Sequence, residues 1–124
     1  MPNAMAIDDS KAIRMILSRS LTKLGYDVCT APDGKAALEI LQTQAPDLAL
    51  VLVDWNMPEM DGLEFIKRMR AMPRYASASL MMVTTETEVD QMVRALEAGA
   101  NEYVMKPFTD EIIADKLRLM GVLQ

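Results

Sequence analysis

Asp54 directly follows an unbroken apolar run, residues 48–53, within the stretch DLALVLVDWNMPEMDG. An acid placed after a strand buried on both faces stands at the strand's C-terminal edge, where ligands bind in open α/β sheets. Taken alone, Asp54 reads more readily as the first residue of a turn before Pro58. Other residues must decide. Asp8 and Asp9 follow a shorter apolar run, Thr84 another, and Lys106 a third. Each also has a bland reading: a turn and helix cap for the aspartates, strand-end filler for the threonine, a solvated lysine. On one edge together they offer more. A carboxylate nucleophile, acids able to hold a divalent cation, an ammonium and a hydroxyl are the components of a site that forms an aspartyl phosphate. Asp54 would be the nucleophile, Lys106 would pair with it and meet a phosphoryl oxygen, and Thr84 would donate to another.

Composition narrows the chemistry. The chain of 124 residues has no histidine, so Ser-His and Cys-His nucleophile pairs, imidazole bases and histidine metal ligands are absent. Cys29 is the single cysteine, which excludes an intrachain disulfide and cysteine-built zinc sites; it reads as a small buried hydrophobe. Carboxylates crowded at one edge repel, so some stay protonated or a cation neutralises them. With oxygen ligands only, Mg2+ suits a partly open site. A net charge of −5 disfavours nucleic acid and anionic membrane surfaces. The apolar runs are too short to span a bilayer and the first ten residues, MPNAMAIDDS, lack the regions of a signal peptide, so a cytoplasmic location and no membrane insertion are expected.

The length suits one domain, and the punctuation of the chain supplies the elements that would position these residues. Residues 4–7 read as a first strand, weakened by two alanines. Ile13, Ile16, Leu17, Leu21 and Leu24 recur at helical spacing, between a Ser10 cap and Gly25 at the C-terminal end. Residues 26–31 form a second strand, and a helix through Ala37, Leu38, Ile40 and Leu41 stops before Pro46. After the strand at 48–53, Asp61 and Glu64 have the spacing of a capping box for a helix carrying Leu63, Phe65, Ile66 and Met69. Residues 71–79 read as a loop without evident chemistry. A fourth strand at 80–83, a helix closing at Gly99, a fifth strand at 103–105 and a last helix from a Thr109 cap complete the pattern. Alternating strands and helices call for a mostly parallel sheet covered on both faces, with right-handed crossovers. Most of the twelve methionines read as core filling, with Met92 and Met105 able to ease repacking. Trp55, beside the acid, reads as an exposed aromatic and a fluorescence probe.

DDS at residues 8–10, DWNMPEMDG at 54–62, TTE at 84–86 and KPF at 106–108 together resemble the response-regulator receiver domain of two-component signalling, in its single-domain form. The resemblance covers essentially the whole chain. It implies a doubly wound, flavodoxin-like fold of five parallel strands in the order 2-1-3-4-5 with five helices, one receiver domain over residues 1–124 and no output domain. It implies that Asp54 accepts a phosphoryl group from a histidine kinase or histidine phosphotransfer protein, that Asp8, Asp9, Asp54 and the Asn56 backbone carbonyl hold Mg2+, and that Thr84 and Lys106 bind the phosphoryl group. The Lys106–Pro107 peptide would be cis. Asn56 and Glu86 would tune dephosphorylation and keep the phosphorylated state short-lived. Tyr103, otherwise an ordinary strand aromatic, would be the switch residue that moves inward when Thr84 turns to the phosphate. The face of the fourth helix, fifth strand and fifth helix would report the state to a protein target, in chemotaxis by resemblance. Such a monomer would be no enzyme beyond catalysing its own phosphorylation and dephosphorylation.

Other functions fit less of the pattern. A phosphorelay intermediate or an adaptor receiver in another two-component pathway would use the same site. A Mg2+-dependent aspartyl-phosphate hydrolase typically places a second acid two residues after the nucleophile, where this chain has Asn56. A flavin-binding protein would need a phosphate-cradling loop after the first strand, and Asp8 and Asp9 would repel phosphate there.

Overall fold

The computed structural model describes residues 2–85 and 89–122. Strands and helices alternate: β1 (Asn3–Ile7), α1 (Lys11–Lys23), β2 (Asp27–Ala31), α2 (Gly34–Thr43), β3 (Leu50–Val53), α3 (Gly62–Arg70), β4 (Ser79–Thr84), α4 (Val89–Ala98), β5 (Glu102–Met105) and α5 (Asp110–Leu119). All strand pairs are parallel, and the sheet order is β2-β1-β3-β4-β5, the flavodoxin-like arrangement expected. Among the described residues no helix is long and apolar enough to cross a membrane.

Local chemistry sets most boundaries. Ser10, Asp33, Asp61 and Thr109 each stand in extended backbone and accept a hydrogen bond from the N–H three residues on, satisfying a donor that the first helical turn leaves open. Only half of the expected capping box forms, because the Glu64 carboxylate turns along the helix to Arg68 at 2.8 Å. Gly25 and Gly99 follow their helices with φ of 97° and 128°, the left-handed conformation that ends a helix without a Cβ clash. Tyr26 stays out of β2, since its N–H turns back to the Leu21 carbonyl at 3.1 Å. The apolar run before Asp54 yields a shorter strand than its length suggests. Ala49 lies at the exposed margin, bonded to Asn3 and Ser79 but outside the ladder proper.

The two faces of the sheet bury different layers. Ala4 and Ala6 of β1 lie under Leu17 and Leu21 of α1 and Ile113 and Leu117 of α5. Met5 and Ile7 point the other way, into a cluster with Leu38, Leu41, Phe65, Ile66 and Met69. The two alanines that lower the strand preference of β1 are fully buried in a strand paired on both sides. Packing therefore overrides intrinsic propensity here, the short side chains lying beneath the helices that cover them. Cys29 is only partly buried on the edge strand β2.

The stretch read as a featureless loop is tightly held. Residues Pro73–Tyr75 form a 3₁₀ turn, and the buried Tyr75 hydroxyl donates to the Pro46 carbonyl at 2.7 Å. Arg70, last residue of α3, spreads its guanidinium over several carbonyls: Gly99 at 2.8 Å, Ala78 at 2.6 Å and Tyr75 at 3.0 Å. It also meets the Asn101 side chain at 3.0 Å, which in turn accepts the Leu80 N–H at 2.8 Å. A Cβ on Gly99 would lie 2.6 Å from the Arg70 Cγ, so the glycine makes room for the arginine as well as ending α4. Arg70→Ala strands these acceptors and is expected to destabilise the fold by about 3 kcal/mol, with Arg70→Lys recovering only part because an ammonium cannot fan over separated carbonyls. Urea unfolding midpoints check this; an alanine variant as stable as the native chain would refute it.

Candidate active site

The register of the sheet assembles the site. Ile7 pairs with Val53, so Asp8 and Asp54 emerge side by side one residue beyond the ladder between β1 and β3. Those strands flank the point where the chain order reverses, β2 lying to one side and β4 and β5 to the other, which is where an open α/β sheet leaves a crevice. Thr84 closes β4 opposite Met105, and Lys106 follows Met105 at the same edge. The backbone continues the pairing past the strands: Asp54 N–H donates to Ile7 at 3.0 Å and Lys106 N–H to Thr84 at 2.9 Å. The edge residues are thus aimed by the sheet itself.

Asp8 and Asp54 are buried and Asp9 is exposed, and an oxygen from each lies within 4.8 Å of the others. Such crowding requires compensation. The Lys106 ammonium supplies part of it, 2.7 Å from Asp8 Oδ2 and 3.4 Å from Asp54 Oδ2. The sequence reading paired Lys106 with Asp54; in the structure the lysine bridges both acids and lies closer to Asp8. Asp8 Oδ1 accepts the Ser10 N–H at 2.9 Å, and Arg14 holds the Asp8 carbonyl at 2.7 Å. Neither Arg14 nor the Ser10 amide stood out in the sequence as part of the site, since a helical arginine and a backbone N–H carry no distinctive spacing.

Asp54 takes the Trp55 N–H on Oδ1 at 2.8 Å and a hydrogen bond from the Thr84 hydroxyl. Burial pushes its carboxyl above the ordinary value of 3.8, and the charge of Asp8 adds to that; Lys106, Thr84 and the Trp55 N–H pull it back. Between the ordinary and the raised value the folded chain holds more protons than the unfolded one, so stability falls as pH rises through that window. Asp54→Asn removes the penalty. The variant is expected to unfold at a higher temperature than the native chain at neutral pH without divalent cations, with the gain shrinking as pH falls toward the ordinary value. Thermal melts across that range check it, and a variant less stable at neutral pH would contradict the sign.

Trp55 corrects the sequence reading: it is only 7 % exposed, packed in the core cluster beneath the Arg94 guanidinium. Asn56 is exposed on the loop after β3. Tyr103 is buried and lines a groove of about 620 Å³ with Met92, Leu96, Met105 and Ile112. The Lys106–Pro107 peptide is cis, as the resemblance implied. Glu86 lies outside the described residues. Gly62 sits so near the Asp54 backbone that a Cβ would lie 2.1 Å from the Asp54 carbonyl oxygen. The three carboxylates suit a hard divalent cation: donors are oxygen only, two are fixed in the interior, and the exposed Asp9 leaves one side open.

The chain is similar to known proteins along nearly its whole length. The response regulator receiver domain family matches residues 4–118. The chain is 42% identical over 114 residues to the chemotaxis protein CheY homolog of Campylobacter jejuni, covering 91% of this chain and 87% of that protein. It is 40% identical over 117 residues to chemotaxis protein CheY1 of Helicobacter pylori, covering 94% of each. The solved structure of the chemotaxis response regulator CheY4 of Vibrio cholerae superposes with a TM-score of 0.86 at 36% identity, over 99% of each chain.

Proposed function

The chain belongs to the response regulator receiver domain family, and on that premise we propose that it is a phosphorylation-controlled signalling switch with Asp54 as phosphoryl acceptor. The convergence of Asp54 with Asp8, Lys106 and Thr84 at the switch point of the sheet is the observation that carries this reading. In the proposed step an Asp54 oxygen attacks the phosphorus of a phosphohistidine on a kinase or phosphotransfer protein. The P–O bond forms as the P–N bond breaks, and the imidazole leaves with the electron pair. Lys106 and the Thr84 hydroxyl meet the charge on the phosphoryl oxygens, and the burial of Asp54 limits water at the phosphorylated carboxyl. Asp8, Asp9 and Asp54, with the Asn56 backbone carbonyl, would hold Mg2+, whose charge offsets that of the transferring group.

The new charge would draw Thr84 toward the phosphoryl group and alter the packing of Tyr103, so that the groove between α4, β5 and α5 presents a different surface to a protein target. Exposed Met105, Leu96 and Ile112 on that face support a role in binding. Names of the relatives favour chemotaxis as the pathway and a cytoplasmic setting follows from it. Hydrolysis of the aspartyl phosphate, tuned by Asn56 and Glu86, would return the switch to rest, and no other substrate would be turned over. Incubation with acetyl phosphate and Mg2+ followed by intact-mass measurement tests the reading: gain of one phosphoryl group is expected, and an unmodified chain would sink it.

A further inference from the structure

Helix α4 is shallowly seated. Among its described residues Ala95 alone is fully buried, against five on α3. Its neighbour Arg94 is an exposed residue, yet its guanidinium carbon lies 5.8 Å from the centroid of the Trp55 ring. That is within cation–π reach of an indole that the core cluster already largely buries. Trp55 is fixed at other points by the site itself. Its N–H donates to Asp54 Oδ1 at 2.8 Å, and its carbonyl accepts the Gly62 N–H at 2.7 Å. A continuous physical link therefore runs from the surface of α4, through one aromatic ring, to the carboxylate.

We infer that Arg94 is a positioning residue for Asp54, acting through Trp55, and that the seating of α4 and the reactivity of Asp54 depend on one another through this contact. The inference rests on the reading of Asp54 as phosphoryl acceptor and adds a residue that none of the site motifs contains. Its logic is linkage. If a held Trp55 favours the phosphorylated arrangement of Asp54, phosphorylation favours the held Trp55, and a partner that draws Arg94 away lowers the equilibrium extent of phosphorylation by the same factor that phosphorylation weakens its binding.

The chain has a single tryptophan, so emission excited selectively at the indole reports the surroundings of Trp55, the Arg94 contact among them. Emission of the native, Arg94→Gln and Arg94→Lys proteins is recorded with neither Mg2+ nor a phosphoryl donor, and incorporation from acetyl phosphate with Mg2+ is then followed by intact mass. Arg94→Gln is expected to shift the emission and to slow incorporation roughly two- to fivefold, the range to which a partly exposed cation–π contact converts. Arg94→Lys keeps a cation over the ring and is expected to restore both readouts in large part. Emission unchanged by Arg94→Gln overturns the contact. A shifted emission with incorporation at the native rate overturns the positioning role, and so does slowed incorporation that lysine rescues without rescuing emission, since bulk charge would then suffice. Failure of the native chain to incorporate any phosphoryl group overturns the acceptor reading and this inference with it, and is recognised before any substitution is made.

Discussion

Asp54→Asn is expected to take up no phosphoryl group from acetyl phosphate and Mg2+ under conditions in which the native chain gains one, a loss on the order of 100-fold or more in rate. The amide has nearly the shape of the carboxylate, so its oxygen can still accept the Trp55 N–H and the Thr84 hydroxyl that hold Asp54. What disappears is the anionic nucleophile. The substitution also relieves the cost of a buried charge beside Asp8, so lost incorporation should accompany a fold at least as stable as the native one at neutral pH. That pairing separates chemistry from unfolding in a way that loss of activity alone does not. Intact mass and a thermal melt on the same preparation are sufficient. A phosphoryl group that persists in the variant at undiminished yield would place the acceptor elsewhere.

Gly62→Ala is expected to cost about 3 kcal/mol of stability and to slow phosphoryl uptake as well. The added Cβ would stand 2.1 Å from the Asp54 carbonyl oxygen, 2.9 Å from its carbonyl carbon and 3.0 Å from the Trp55 Cα. These are backbone atoms at the end of a buried strand and cannot swing aside as a side chain would. Either α3 lifts from the sheet edge or the Asp54–Trp55 peptide tilts, and the second response moves the carboxylate. Gly34 provides the control, because it is the first residue of α2 as Gly62 is of α3. A Cβ at Gly34 meets only the flexible Met60 side chain, at 3.2 Å, so Gly34→Ala should change stability by less than about 1 kcal/mol and leave uptake near native. Chemical unfolding and labelling rates of the two variants side by side check the contrast. Equal effects at both glycines would refute the account.

The sequence determined the elements and the kinds of chemistry. Alternating apolar runs, the caps at Ser10, Asp61 and Thr109, and glycines at 25 and 99 are local signals. Short-range hydrogen bonds and backbone sterics act on neighbours in the chain, so such signals survive without tertiary information. The absence of histidine and of a cysteine pair limited the ligand set by inventory alone. The ordered motifs around Asp8, Asp54, Thr84 and Lys106 pointed to one candidate site because each motif ends its own strand, and a parallel sheet brings those ends to one edge.

Tertiary structure decided which of those groups touch and how the edge is supported. That Lys106 lies nearer Asp8 than Asp54 depends on distances between residues far apart in the chain, which no spacing encodes. Trp55 looked exposed because a strand-end aromatic beside a loop usually is; it is packed in the core cluster, with Arg94, on a helix that follows a later strand, over its ring. The loop before β4 looked empty because its order is held by the side chain of Arg70, reaching across to Gly99, and not by any pattern of its own. Ala4 and Ala6 looked like a weak strand until the helices above them were known. A sequence states the propensity of each residue, while burial and the meeting of distant side chains are properties of the assembled sheet and its layers.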